Sequence, residues 1–186
     1  MNIEFRNKIK QFKNVLSDDM FIKARSFLKE SKWNLNCSDP LYLSHKTFWS
    51  MNLTSEKFFN HDVLEVVKNV CNKNFQIIKV IANAQSTLQD GSPHVDEIKS
   101  NAMTFILYAN DVWDFQWGGQ TIFFDRIRTK TNDVDAFISN SDDVFGIYPV
   151  PNTAVLFPSN IFHYGMGPNR DYYDVRYTIA FHLLEI

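Results

Sequence analysis

A chain of 186 residues that is 45% hydrophobic and 22% charged can bury one substantial core and is short for two. Its net charge of −2, with the histidines neutral, offers no basic footprint for nucleic acid. No uncharged apolar run is long enough to span a bilayer and Met1–Lys8 holds no apolar signal segment, so a soluble, cytoplasmic protein with no membrane partner is expected.

Seventeen phenylalanines favour an aromatic-rich core of β type. Cys37 and Cys71 stand far apart without C-x-x-C spacing, and two reduced, packed thiols are expected. Along the chain, residues 8–16 alternate loosely and suit an edge strand. Ser17-Asp18-Asp19 then opens a helix, with a capping hydroxyl and two carboxylates against the helix dipole. Met20, Phe21, Ala24, Phe27 and Leu28 give it one apolar face, and it should end near Ser31. Trp33, Tyr42, Phe48 and Trp49 lie scattered among turn residues, which suggests irregular or short-strand structure. Asn60 is the expected cap of a second helix reaching about Asn72, with Val63, Leu64, Val67, Val70 and Cys71 inward.

At Phe75 the period changes from helical to extended. Strands are expected over Phe75–Gln85, Ala102–Tyr108, Thr121–Phe124, Asp143–Val150, Thr153–Phe157 and Val175–Leu184, each rich in β-branched or aromatic residues between turn signals. Arg126 to Asp142 is polar and mixed in charge; it reads as a loop, and a long loop in a compact domain is often a lid. One α+β domain over 1–186 follows, with a helical supporting region in 1–74 and a β-sandwich or barrel in 75–186.

The chemistry gathers in three stretches. In Pro93-His94-Val95-Asp96 a histidine and a carboxylate at i and i+2 point to one side of an extended segment. Alone, that pair is a surface histidine bonded to an aspartate. His163, after an apolar strand and a proline turn, completes two imidazoles and a carboxylate, the set that leaves positions open on a non-haem Fe(II). Arg176 falls within the last strand, with Thr178 on its face. A buried arginine needs an anion, either a buried Asp/Glu or a bound carboxylate held by its fork.

In this order, His94-Val95-Asp96, Trp117-Gly118-Gly119-Gln120-Thr121-Ile122-Phe123, Pro151 to Ser159, His163 and Arg176-Tyr177-Thr178 resemble the Fe(II)/2-oxoglutarate-dependent dioxygenases, in particular the prolyl 4-hydroxylase-like branch. The similarity runs from about Val80 to Leu184. It implies a double-stranded β-helix (jelly roll) with the N-terminal helices packed against it, and His94, Asp96 and His163 as iron ligands. Arg176, supported by Thr178, would hold the distal carboxylate of 2-oxoglutarate. O2 is the co-reactant and ascorbate the expected reductant. Two departures stand out: Gln120 replaces the family's glutamate, and no tyrosine lies in the strand before the H-x-D. Asn83, Gln85 and Tyr108 are therefore the expected contacts to the near end of the cosubstrate, beside the plainer reading of each as a satisfied core polar residue.

His45, His61 and His182 lack metal-ligand spacing and read as ordinary histidines, although His182 shares the inward face of Arg176 if the strand alternates. Arg170, in a turn, is the competitor of Arg176. Trp113, Phe115 and Trp117 suit either a substrate groove or core at a strand end, and Asp111 reads as solvated. The resemblance implies hydroxylation of a peptidyl proline or similar residue in a peptide or protein. The alternatives are a free amino acid or other small molecule, or a jelly-roll module that only binds metal. Oxidative nucleic-acid demethylases share H-x-D…H but characteristically carry a second arginine where His182 stands, which argues against that activity.

Overall fold

The α-helices all lie before the change of period at Phe75, but that part of the chain also supplies three strands to the larger of two facing sheets. The computed structural model describes residues 3–37, 46–131 and 134–186. Its helices are α1 (Ile3–Asn7), α2 (Asp18–Glu30) and α3 (Leu64–Cys71), the last continuing a π-helical turn at Phe58–Val63. The strands are β1 (Lys10–Lys13), β2 (Asn34–Cys37), β3 (Thr47–Asn52), β4 (Phe75–Gln85), β5 (Ala102–Tyr108), β6 (Thr121–Thr131), β7 (Val134–Ile147), β8 (Thr153–Pro158), β9 (Ile161–Gly165) and β10 (Arg176–Glu185).

A seven-stranded sheet has the order β1-β8-β5-β10-β4-β3-β2, and a three-stranded sheet the order β7-β6-β9. All of these pairings are antiparallel. An isolated bridge between His94 and His163 adds one more rung beside β9. From β4 onward the chain passes back and forth between the sheets, which is the winding of a jelly roll.

Strand alternation sorts the core into two layers. On β10, Ile179, Phe181 and Leu183 face the helices and pack with Phe21, Ala24, Leu28, Phe59, Val63 and Val67. Between the sheets, Ile106, Tyr108, Phe123, Val155, Phe157 and Ile161 form the second cluster. The other register of β10 (Arg176, Thr178, Ala180 and His182) faces a cavity between the sheets.

Helix α2 has the expected cap: Ser17 accepts from the Met20 amide at 3.4 Å, and Ser31 and Trp33 satisfy the Phe27 and Leu28 carbonyls at its far end. Asn60 is not a cap. The helical turn begins before it, and its amide donates to the Thr54 carbonyl at 2.8 Å, closing the preceding loop. Strands β4 and β5 have the expected bounds. The 33–49 stretch contributes β2 and the start of β3, and β9 is a strand that the proline turn before it concealed.

Arg126 to Asp142 is not a loop. It forms most of the antiparallel β6–β7 hairpin, with Arg126 opposite Ser139 and Thr131 opposite Val134. Each strand satisfies the other's backbone, so the pairing holds without strict apolar alternation: Ile127 packs against the core while Ile138, opposite it, is exposed. Asp111 is exposed, as expected, and pairs at the surface with Arg25 and Lys29. Cys71 is a free, half-buried thiol that burial pushes up to about 11. No helix among the described residues is long and apolar enough to cross a membrane.

Candidate metal centre

His94 and Asp96 do not start a strand; they are pinned to the edge of β9 from a loop. The His94 amide donates to the His163 carbonyl at 3.0 Å, the His163 amide returns the bond at 2.9 Å, and the Asp96 amide donates to the Ser159 carbonyl at 2.9 Å. This pairing sets the two imidazoles side by side, 4.6 Å between ring centres. One ligand atom from each of His94, Asp96 and His163 lies within 4.8 Å of the others.

The histidine tautomers follow from the partners. His94 Nδ1 lies 2.8 Å from the Ser92 carbonyl and His163 Nδ1 3.0 Å from the Ile161 carbonyl. A carbonyl only accepts, so each Nδ1 carries the proton and each Nε2 presents a lone pair. Those Nε2 atoms stand 3.5 Å and 3.4 Å from the two oxygens of Asp96. The carboxylate is held from behind: Thr104 Oγ1 donates to Oδ2 at 2.6 Å and meets Ser159 Oγ at 2.8 Å.

Burial opposes ionisation of Asp96, yet His182, His163 and His94 outweigh it and hold its carboxyl well below the ordinary value. Burial likewise lowers His163 to about 4, against the pull of Asp96. Near neutral pH the centre is thus a carboxylate with a neutral buried imidazole, the protonation a divalent metal requires.

Arg176 lies at the other end of the cavity. Only 2% exposed, it donates from Nε to the Gly119 carbonyl at 2.6 Å, from Nη1 to Gln85 Oε1 at 2.7 Å and from Nη2 to Thr121 Oγ1 at 2.9 Å. Among the described residues no carboxylate pairs with it. Burial lowers its pKa to about 10, partly offset by Tyr108, so it remains a cation at neutral pH. Two of its five N–H groups are not used in these bonds. The backbone must come close here: a Cβ on Gly165 would sit 2.9 Å from Gln85 Oε1 and 3.1 Å from Arg176 Nη1.

The cavity between these ends has a volume of ≈ 580 Å³. Its floor is a ladder of cross-strand pairs, with Arg176 opposite Gln85, Thr178 opposite Asn83, Ala180 opposite Ile81 and His182 opposite Lys79. His94, Asp96, His163, Arg176, Thr178, Asn83 and Gln85 all line it. Tyr108 does not: fully buried, it donates its hydroxyl to Thr121 Oγ1 at 2.9 Å and so acts behind the wall. Gln85 spends its amide on the Gln89 and Gly165 carbonyls and its oxygen on Arg176, so it orients the guanidinium. Arg170 is exposed in a turn. Trp113 and Trp117 cluster with Tyr172 away from the cavity, and Trp113 packs over Gly119.

Sequence reasoning missed Thr121, Thr104, Ser159 and His182. The Gly118-Gly119-Gln120-Thr121 motif contained the signal for Thr121. The shared face of Thr104, Ile106 and Tyr108 contained the one for Thr104. His182 is 6% exposed, and its buried Nδ1 lies 3.6 Å from Asp96 Oδ1 with no hydrogen-bond partner.

A sequence model described as the 2OG-Fe(II) oxygenase superfamily matches residues 82–183, more than half of the chain. A search of curated proteins gave no match. Among solved structures, a prolyl hydroxylase from Trichoplax adhaerens, in complex with a peptide fragment of the hypoxia inducible factor oxygen degradation domain, superposes with a TM-score of 0.67 at 15% identity, covering 96% of this chain and 84% of that one. A Pseudomonas putida prolyl-4-hydroxylase gives 0.62 at 13% identity, covering 96% and 93%. The non-heme alpha ketoglutarate dependent epimerase SnoN, from nogalamycin biosynthesis, gives 0.64 at 12% identity, covering 95% and 76%. At such identities these likenesses speak for the fold.

Proposed function

The chain belongs to the 2OG-Fe(II) oxygenase superfamily, and from that premise we propose that it hydroxylates an unactivated C–H bond, that of a peptidyl proline or similar residue. One atom of O2 enters the product; the other enters succinate as 2-oxoglutarate loses CO2. The observation that supports this most is a buried guanidinium with no carboxylate partner among the described residues, facing a two-histidine, one-carboxylate cluster across one cavity.

His94 Nε2, His163 Nε2 and Asp96 would hold Fe(II), a donor set that suits this metal and leaves positions open. Bound there with 2-oxoglutarate, the iron supplies the oxidising chemistry that a protein side chain lacks. Everything else is positioning by the chain. The two remaining Arg176 N–H groups take the distal carboxylate of the cosubstrate in a fork, and Gln85, Gly119 and Thr121 fix the fork's plane. Thr178 and Asn83 offer polar contacts along the ligand, and Ile106 and Ala180 in the cavity lining keep water from its middle. Ascorbate would sustain turnover as the reductant.

The peptide reading takes support from the prolyl hydroxylases among the structural neighbours. A small-molecule substrate is the second reading, favoured by a cavity whose volume falls in the usual range for small-ligand sites. The test is anaerobic addition of Fe(II) and then 2-oxoglutarate. A visible charge-transfer band that disappears in Asp96→Ala is expected, followed by succinate release with proline peptides. A folded, metal-loaded protein that gives no band overturns the proposal.

A further inference from the structure

The chain places a third imidazole against the metal carboxylate. His182 stands six residues along β10 from Arg176, on the same inward face, and both of its cross-strand neighbours bear on the site. Thr104, opposite it on β5, already donates to Asp96 Oδ2; Lys79, opposite it on β4, lines the cavity. The β4–β10 register shifts between His182 and Leu183, and a bulge of this kind re-aims the side chains beside it.

A buried polar nitrogen with no partner costs free energy. His182 Nδ1 is such an atom, and the nearest acceptor of use to it is Asp96 Oδ1, 3.6 Å away. In His94 and His163 a carbonyl beside Nδ1 sets the tautomer, but His182 Nδ1 has no such partner, and a carboxylate attracts an N–H, so Asp96 selects the tautomer with the proton on Nδ1. A shift of about half an ångström turns that approach into a charge-assisted hydrogen bond, and polar contacts in unliganded sites commonly tighten in this way when the ligand arrives.

We infer that His182 is a positioning residue for the metal carboxylate, donating Nδ1–H to Asp96 Oδ1 while Thr104 holds Oδ2. Two donors, one on each oxygen, fix the plane of the carboxylate and turn its remaining lone pairs toward the space shared with His94 Nε2 and His163 Nε2. His182 itself lies outside the set of mutually close ligand atoms and takes no place on the metal. The inference rests on the proposed metal site and concerns how firmly that site holds its ion.

The experiment is titration of metal-free protein with Co(II), reading affinity and the ligand-field spectrum. Removing such a partner typically weakens metal binding by about 10- to 100-fold. His182→Leu fills the space without a donor and should lose that much, with an altered Co(II) spectrum. His182→Asn puts an amide N–H where Nδ1 stands and should bind close to wild type. His182→Gln places its amide where Nε2 stands and should behave like the leucine variant. If the leucine variant fails to fold, the asparagine–glutamine contrast decides. A wild type that binds no Co(II) overturns the metal site itself. A wild type that binds, with equal affinity and spectrum in all folded variants, overturns the role of His182 alone.

Discussion

The two ends of the cavity are built on opposite principles. At the metal end the protons of the His94 and His163 imidazoles are directed away from the centre: their Nδ1 protons go to the Ser92 and Ile161 carbonyls, and lone pairs are what remain. At the Arg176 end the acceptors are consumed instead, by three bonds from one guanidinium, and N–H groups are what remain. The first end suits a cation, the second an anion. A molecule that chelates a metal through one terminus and carries a carboxylate at the other fits both, and the contrast teaches that each end's specificity lies in the groups the protein has already satisfied.

Substitutions that touch one end and spare the other break the contrast most sharply. His163→Ala removes a ligand and should reduce succinate formation to the level of a protein-free control, with circular dichroism unchanged; retained turnover would refute the ligand assignment. Arg176→Met should raise the 2-oxoglutarate half-saturation by roughly 10²-fold, the cost of a lost charge pair, and leave Co(II) affinity intact, whereas Arg170→Ala should change neither. Thr104→Val deletes a hydrogen bond to Asp96 and should weaken Co(II) binding by about 10-fold without moving the 2-oxoglutarate requirement. Gly165→Ala should do the reverse on a smaller scale: its Cβ would press on Gln85 and the guanidinium, so a several-fold rise in cosubstrate half-saturation is expected at constant metal affinity.

A further effect, on stability rather than on binding, concerns pH. Burial lowers His163 from 6.5 to about 4, so the unfolded chain binds the proton more readily than the fold does. Stability of the metal-free protein is therefore full above about 6.5 and falls as pH drops toward 4, by an amount on the order of a few kcal/mol. Urea unfolding between pH 7 and pH 4.5 measures it, and in His163→Phe this loss should flatten.

The helix and strand layers differ in how openly they could be read. Alternation and turn residues marked β4 and β5 to the residue, and Ser17 with two following acids marked α2. The outer part of the β6–β7 hairpin escaped because two strands that satisfy each other's backbone can pair without a regular apolar period. Asn60 misled because a side-chain amide that caps a helix and one that ties a loop to Thr54 look the same in a linear chain.

What the chain determined alone was which candidate groups to look for: His94, Asp96, His163 and Arg176 stood out by residue type, order, spacing and family resemblance, because metal and carboxylate binding depend on the donor atoms themselves, and the fold brings all four to one cavity. What only the tertiary structure decided was who holds those groups. Thr104 and His182 on Asp96, and Thr121 with Tyr108 behind Arg176, meet through the register of β5, β6 and β10, elements far apart in sequence. A shift of one residue in that register turns every side chain to the other face, so no local pattern could have set these partners.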